Sequence, residues 1–209
     1  AEAIQEVILK EAMNDAHELY ITGSGDGFGG EFWRNLLKSI TMEKYPNIKN
    51  LHLHTNGVGW TRKIWGMLSN LHSIPRITTE ISIDAATEDT YHQIRVGGIW
   101  NVLQENLHFI FTEIPNLDFV RLTFVVQNNN YMEMIDFIKM AEYFQKLNGM
   151  KTAVSFQHIN NWGTFTNAEF MIKSIANENH PEYELFKLQV NKVKAFKESY
   201  PNLQIFTNF

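Results

Sequence analysis

The chain has 209 residues, 44% hydrophobic and 20% charged, the balance of an ordinary globular protein long enough for one core. A formal net charge of −5 with no basic cluster argues against a nucleic-acid partner, and no apolar run is long enough to span a bilayer. There is no cysteine, which excludes disulfides, thiolate catalysis and any cysteine-held cluster from this chain's own residues.

The first element in chain order is a helical pattern, Ile4/Val7/Ile8/Ala12, with no strand before it. Short β-rich runs then alternate with amphipathic stretches. Strands are expected over His17–Gly23, Asn50–Thr55, Arg76–Asp84, Phe119–Gln127, Thr152–His158 and Leu203–Thr207. Between them, apolar residues recur at helical spacing in Trp33/Leu36/Leu37/Ile40, Ile64/Met67/Leu68/Leu71, Ile99/Val102/Leu103/Ile110 and Met134/Ile138/Ala141. Asn130 with Glu133 has capping-box spacing for a helix ending near Gly149. Pro181 suits the first turn of a last amphipathic helix, patterned over Glu184–Tyr200 with its lysines on a solvated face.

No internal repeat, low-complexity tract or linker interrupts the chain, so residues 1–209 are expected to form one domain, with a terminal helix and last strand in 180–209. Repeated βα units imply an α/β fold with a parallel sheet. Two closures compete, a doubly wound sheet and a partial (βα) TIM-like barrel. A full barrel takes about 250 residues, so this one would have about six mostly parallel strands and lack its first. With no signal-peptide pattern the expected compartment is the cytoplasm, with no membrane partner. A barrel short of a strand would expose a sheet edge, through which self-association is expected.

In either architecture ligands gather at the carboxyl ends of the strands. The first such end carries five glycines between Gly23 and Gly30. Gly25-Asp-Gly-Phe-Gly-Gly30 satisfies G-x-G-x-x-G between a strand and a helix. However, the next strand ends His54-Thr55-Asn56-Gly57, without the acidic residue a dinucleotide ribose requires. A metal-dependent hydrolase is a second reading. His52 and His54 leave their strand on one face, and Asp84 and His158 at later strand ends could complete a ligand set.

The third reading is a resemblance. "LYITGSGDGF", "LHLHTNG", "TEISIDAATEDTYHQIR" and "FVVQNNNYMEMIDFI" follow one another in this order, each at a strand end. The set resembles the core of a radical S-adenosylmethionine (radical SAM) enzyme, in particular the branch that often carries a SPASM extension, from about Ala3 to His158. By that resemblance Thr22, Gly23, Gly25 and Asp26 occupy the loop that holds the methionine amino group of S-adenosylmethionine. Aspartate stands where the family usually has glutamate, and Gly27 where it has proline. Thr55 and Asn56 match the family's Thr-Asn-Gly turn near the cofactor. Ser82 and Asp84 match its Ser-x-Asp strand, with Ser82 bonding the ribose or carboxylate end, and Arg95 pairing with the carboxylate. Val126 and Asn130 fall where the family packs adenine and ribose.

The resemblance implies hydrogen abstraction from an unidentified substrate (a peptide side chain, a sugar or a small metabolite) by a 5′-deoxyadenosyl radical. That chemistry needs a [4Fe–4S] cluster on a C-x3-C-x2-C motif after the first barrel strand. The missing cysteines and the strandless start share one explanation: the first strand and cluster loop lie upstream, and the chain as given is inactive as a radical enzyme. A cluster-less barrel acting as a binding or scaffold module is the alternative.

Overall fold

The computed structural model describes residues 13–22 and 25–209. The opening pattern Ile4/Val7/Ile8/Ala12 and the site candidate Gly23 lie outside the described residues. In chain order the elements are β1 (Glu18–Ile21), α1 (Glu31–Ser39), β2 (Asn50–Thr55), α2 (Arg62–Gly66), β3 (Arg76–Ser82), α3 (Glu88–Ile94), α4 (Trp100–Glu113), β4 (Leu117–Val126), α5 (Met134–Asn148), β5 (Thr152–His158), α6 (Asn167–Lys173), α7 (Tyr183–Lys197) and β6 (Gln204–Thr207).

The strands form one six-stranded parallel sheet in the order β1-β2-β3-β4-β5-β6, and it does not close. This order separates the two expected architectures. A doubly wound sheet reverses its strand order at a switch point, whereas here every crossover steps the same way, as along a barrel wall. The fold is a partial TIM-like α/β fold.

By internal packing the chain divides into two compact units, Ala1–Ile81 with Asn101–Val120, and Ser82–Trp100 with Arg121–Phe209. In the first unit, Leu51 pairs with Ile77 and Leu53 with Thr79 across β2 and β3. Leu51, Leu53, Thr55, Ile77, Thr79 and Ile81 share the buried face, and the hydroxyl of buried Thr79 donates to the Leu53 carbonyl at 2.8 Å. Tyr20, His52, His54, Thr78 and Glu80 alternate onto the opposite, open face. Phe28 and Trp60, both fully buried, stack at 4.5 Å in the core of this unit.

The second unit is built on an aromatic triangle. Phe124 of β4, Phe137 of α5 and Phe156 of β5 meet edge-on, with centroids 4.9, 5.5 and 6.1 Å apart. Such pairs contribute roughly 0.5–1.5 kcal/mol each beyond the area they bury. Gly149 ends α5 in the left-handed conformation, as its position in the sequence implies.

Three local expectations are corrected. The Ile64/Met67/Leu68/Leu71 stretch is a five-residue helix followed by a separate 3-10 turn over Ser69–Ser73, because the chain leaves helical geometry at Leu68. Pro181 lies in the turn before α7, which starts at Tyr183 after Glu182. Asn130 and Glu133 form no capping box: neither side chain caps the helix they precede, because both are bonded elsewhere in the unit.

Candidate functional site

Each unit gathers its candidate residues around one aspartate. In the first unit, the loop after β1 folds back on itself at Asp26. Its Oδ1 accepts the Phe28 N–H at 2.9 Å, and its Oδ2 accepts both the Thr55 hydroxyl at 2.8 Å and the Asn56 N–H at 2.7 Å. The carboxylate thus ties the glycine loop to the Thr-Asn-Gly turn at the end of β2. All three donors are neutral, and Oδ1 still has capacity for a second donor.

The turn itself is held from below. The Gly57 N–H donates to Thr55 Oγ1 at 3.0 Å, and buried Asn106 of α4 donates to the carbonyls of Gly57 and Val58 at 2.9 and 2.8 Å. Asn106 was not evident from the sequence, since it lies 49 residues from its partner. Gly57 has φ 78°, and a Cβ there would stand 2.8 Å from Leu103 Cδ1. Gly25 has φ 122°, and a Cβ would meet the Trp33 indole nitrogen at 2.5 Å. Glycine at Gly25 is therefore required by the loop's own conformation and by Trp33, whether or not a ligand is near. Thr22 is exposed, with its hydroxyl 3.5 Å from His54 Nδ1.

In the second unit the centre is Asp84, two residues past β3. It is 4% exposed and has φ 65°, the one non-glycine residue with positive φ among those described. Three contacts hold it in that uncommon conformation. The Val125 N–H donates to Oδ1 at 2.7 Å, the Arg95 Nη2 pairs with Oδ2 at 2.6 Å, and the buried side chain of Asn130 donates to the Asp84 carbonyl at 2.9 Å. Burial pushes the Asp84 carboxyl above its ordinary value, against the opposing pull of Arg95 and the Val125 N–H.

Arg95 follows the last residue of α3 and uses only part of its guanidinium on Asp84. Its Nε is buried and has no hydrogen-bond partner. The pair forms one wall of a cavity of about 460 Å³, a size that suits a small organic ligand. Gln127, Gln157 and His158 bring polar groups to it, and Trp162 and Phe165 bring rings. Trp162 is 86% exposed on a loop braced by Asn161, whose Oδ1 accepts the Gly163 and Phe165 N–H groups at 3.0 and 3.3 Å.

The candidates therefore fall into two groups. Gly25, Asp26, Thr55 and Asn56 are brought together in the first unit, and Asp84 and Arg95 in the second. Ser82 is half-buried at the last position of β3 and does not line the cavity. Val126 is buried at 2% exposure, and strand alternation puts its neighbour Val125 on the cavity wall instead. Asn130 is 1% exposed with every polar atom bonded within the protein, so it shapes the wall from behind.

His52 Nδ1 lies 2.9 Å from the Thr78 hydroxyl, and its ring packs on Tyr20. His158 Nε2 is 2.8 Å from the Asn208 carbonyl. Among the described residues no three histidine, aspartate or glutamate side chains converge on a point that could hold a metal ion. No helix of the described residues is long and apolar enough to cross a membrane. No protein-family model matches the sequence, and no curated protein matches it.

Proposed function

We propose that this chain is the S-adenosylmethionine-binding part of a radical SAM enzyme. The observation that carries the reading is positional. The four sequence stretches that resemble that family lie at the carboxyl ends of four consecutive parallel strands, β1 to β4, in sequential order. That end of such a sheet is where ligands bind.

Each aspartate centre, taken by itself, offers chemistry that S-adenosylmethionine can meet. In the first unit, Asp26 Oδ1 has capacity for a further donor such as an ammonium group. In the second unit, the part-exposed Arg95 guanidinium on the cavity wall is a charged donor suited to a carboxylate or another acceptor-rich group. S-adenosylmethionine carries both an ammonium and a carboxylate. Bound at an iron–sulfur cluster, it supplies hydrogen-abstraction chemistry. A cysteine-held cluster does not fit the residues of this chain, which has no thiol to ligate it.

Calorimetric titration of the purified chain with S-adenosylmethionine tests the reading. Saturable binding, weakened by Asp26→Ala or by Arg95→Ala, is the expected result. Absence of saturable heat at millimolar cofactor, with the chain folded, would overturn it.

A further inference from the structure

The connection between β4 and α5 carries two buried or half-buried polar side chains that do nothing for the helix they precede. Glu133 turns away from α5 and accepts four hydrogen bonds from the start of α3. These come from the Ala86 N–H at 2.7 Å, the Thr87 N–H at 3.2 Å, the Thr87 hydroxyl at 2.7 Å and the Thr90 hydroxyl at 2.5 Å. Thr87 is itself the N-cap of α3, accepting the Thr90 N–H at 3.4 Å. One carboxylate therefore closes the first turn of a helix on another part of the chain.

Asn130, three residues earlier, bonds in both directions. Its Oδ1 accepts the Gln127 N–H at 2.7 Å, while its Nδ2 donates to the carbonyls of Asp84 and Val125, each at 2.9 Å. The segment from Asp84 to Thr90 is thus fastened at both ends by side chains of one short connection. At the first fastening lies Asp84 in its left-handed conformation, and after the second α3 runs only seven residues before reaching Arg95. A helix that short has little stability of its own. The direction in which Arg95 leaves its C-terminus is consequently set by how its N-terminus is held.

We propose that Asn130 and Glu133 are positioning residues for the Arg95 wall of the cavity. Asn130 fixes the left-handed Asp84 that receives Nη2, and Glu133 fixes the start of the helix that delivers Arg95. The ligand class this arrangement prepares for is an anionic or carboxylate-bearing small molecule drawn to the part-exposed Arg95 guanidinium on the cavity wall. Taking that molecule to be S-adenosylmethionine rests on the proposed function. The positioning itself does not.

The test uses the full chain and Glu133→Ala, read in two ways. Amide hydrogen exchange on the ligand-free proteins should quicken over residues 85–95 in the variant and stay unchanged in β5 and α7. Calorimetry with S-adenosylmethionine should show affinity lower by about tenfold, within the range of coupling between residues of one hydrogen-bond network. Formate, which can refill the vacated carboxylate position, should restore part of both. A merely structural role would spread faster exchange through the unit and would not respond to formate. That outcome, or exchange over 85–95 equal to wild type, overturns the proposal. Should the alanine variant fail to fold, Glu133→Gln keeps the side-chain volume, removes the charge and carries the exchange and affinity measurements without the formate arm. If wild type itself does not bind S-adenosylmethionine, the proposed function fails while the exchange pattern still decides the positioning claim.

Discussion

Two aspartates, Asp26 and Asp84, organise two loops at strand ends by opposite means. Asp26 is half-buried and surrounded by neutral donors: a hydroxyl and two backbone N–H groups. Asp84 is buried in a left-handed conformation and bonded to a guanidinium. The first arrangement is a local knot, which joins one loop to one turn through neutral donors. The second is an ion pair in a low-dielectric setting, where losing one partner strands the other. The contrast teaches that equivalent-looking acidic residues after parallel strands can carry different fractions of the fold's stability, and that burial of the counter-ion decides which.

The largest effect expected from this contrast follows from Asp84→Ala, which leaves the Arg95 charge without its partner. Breaking a buried pair this way costs about 3–5 kcal/mol. Arg95 retains 29% side-chain exposure, which places the cost toward the lower end of that range. Denaturant unfolding should show it as a lower midpoint at unchanged slope. Asp26→Ala should cost less, about 1–3 kcal/mol for the donors left unsatisfied. Its signature should be faster exchange at Phe28 and Asn56 with the rest of the molecule unaffected. Equal losses in the two variants would break the comparison.

The smallest effect is a pH dependence. Burial raises the Asp84 carboxyl above its ordinary 3.8, so the native state holds this proton more tightly than the unfolded chain. The stabilisation from that proton is complete below about pH 3.8 and is lost as pH rises through the folded-state value. Asp84→Asn cannot titrate, and asparagine tolerates the left-handed backbone. The melting temperature of the wild type should therefore fall relative to the variant as pH rises through that window, then run parallel to it. A difference of the opposite sign would mean that Arg95 and the Val125 N–H outweigh burial.

Much of the sheet was legible in the sequence because alternation is a local signal. Asn50–Thr55 and Thr152–His158 match their strands to the residue, and Arg76–Asp84 overshoots by two because the chain bends at Asp84. Short helices were not legible. Over Glu88–Ile94 only Thr90 and Tyr91 are buried, and Asn167–Lys173 buries nothing, so neither shows an apolar period. The capping box of Thr166 with Glu169 was the available signal for the second.

The same spacing at Asn130 and Glu133 misled, because the partners of Glu133 lie 43 to 47 residues away and cannot be seen in a local window. The site was legible as motifs but not as contacts. Asp26 could be recognised as a candidate, whereas its ties to Thr55 and Asn56 depend on the parallel pairing of β1 and β2.

The most direct test of the central claim is a two-dimensional amide correlation spectrum of the labelled chain, recorded while S-adenosylmethionine is added. Saturable shifts at an aspartate centre are the expected result, at Gly25 and Asn56 around Asp26 or at Val125, Gln127 and the Arg95 Nε–H around Asp84. A spectrum that does not change, or whose changes avoid both aspartate centres, would contradict it.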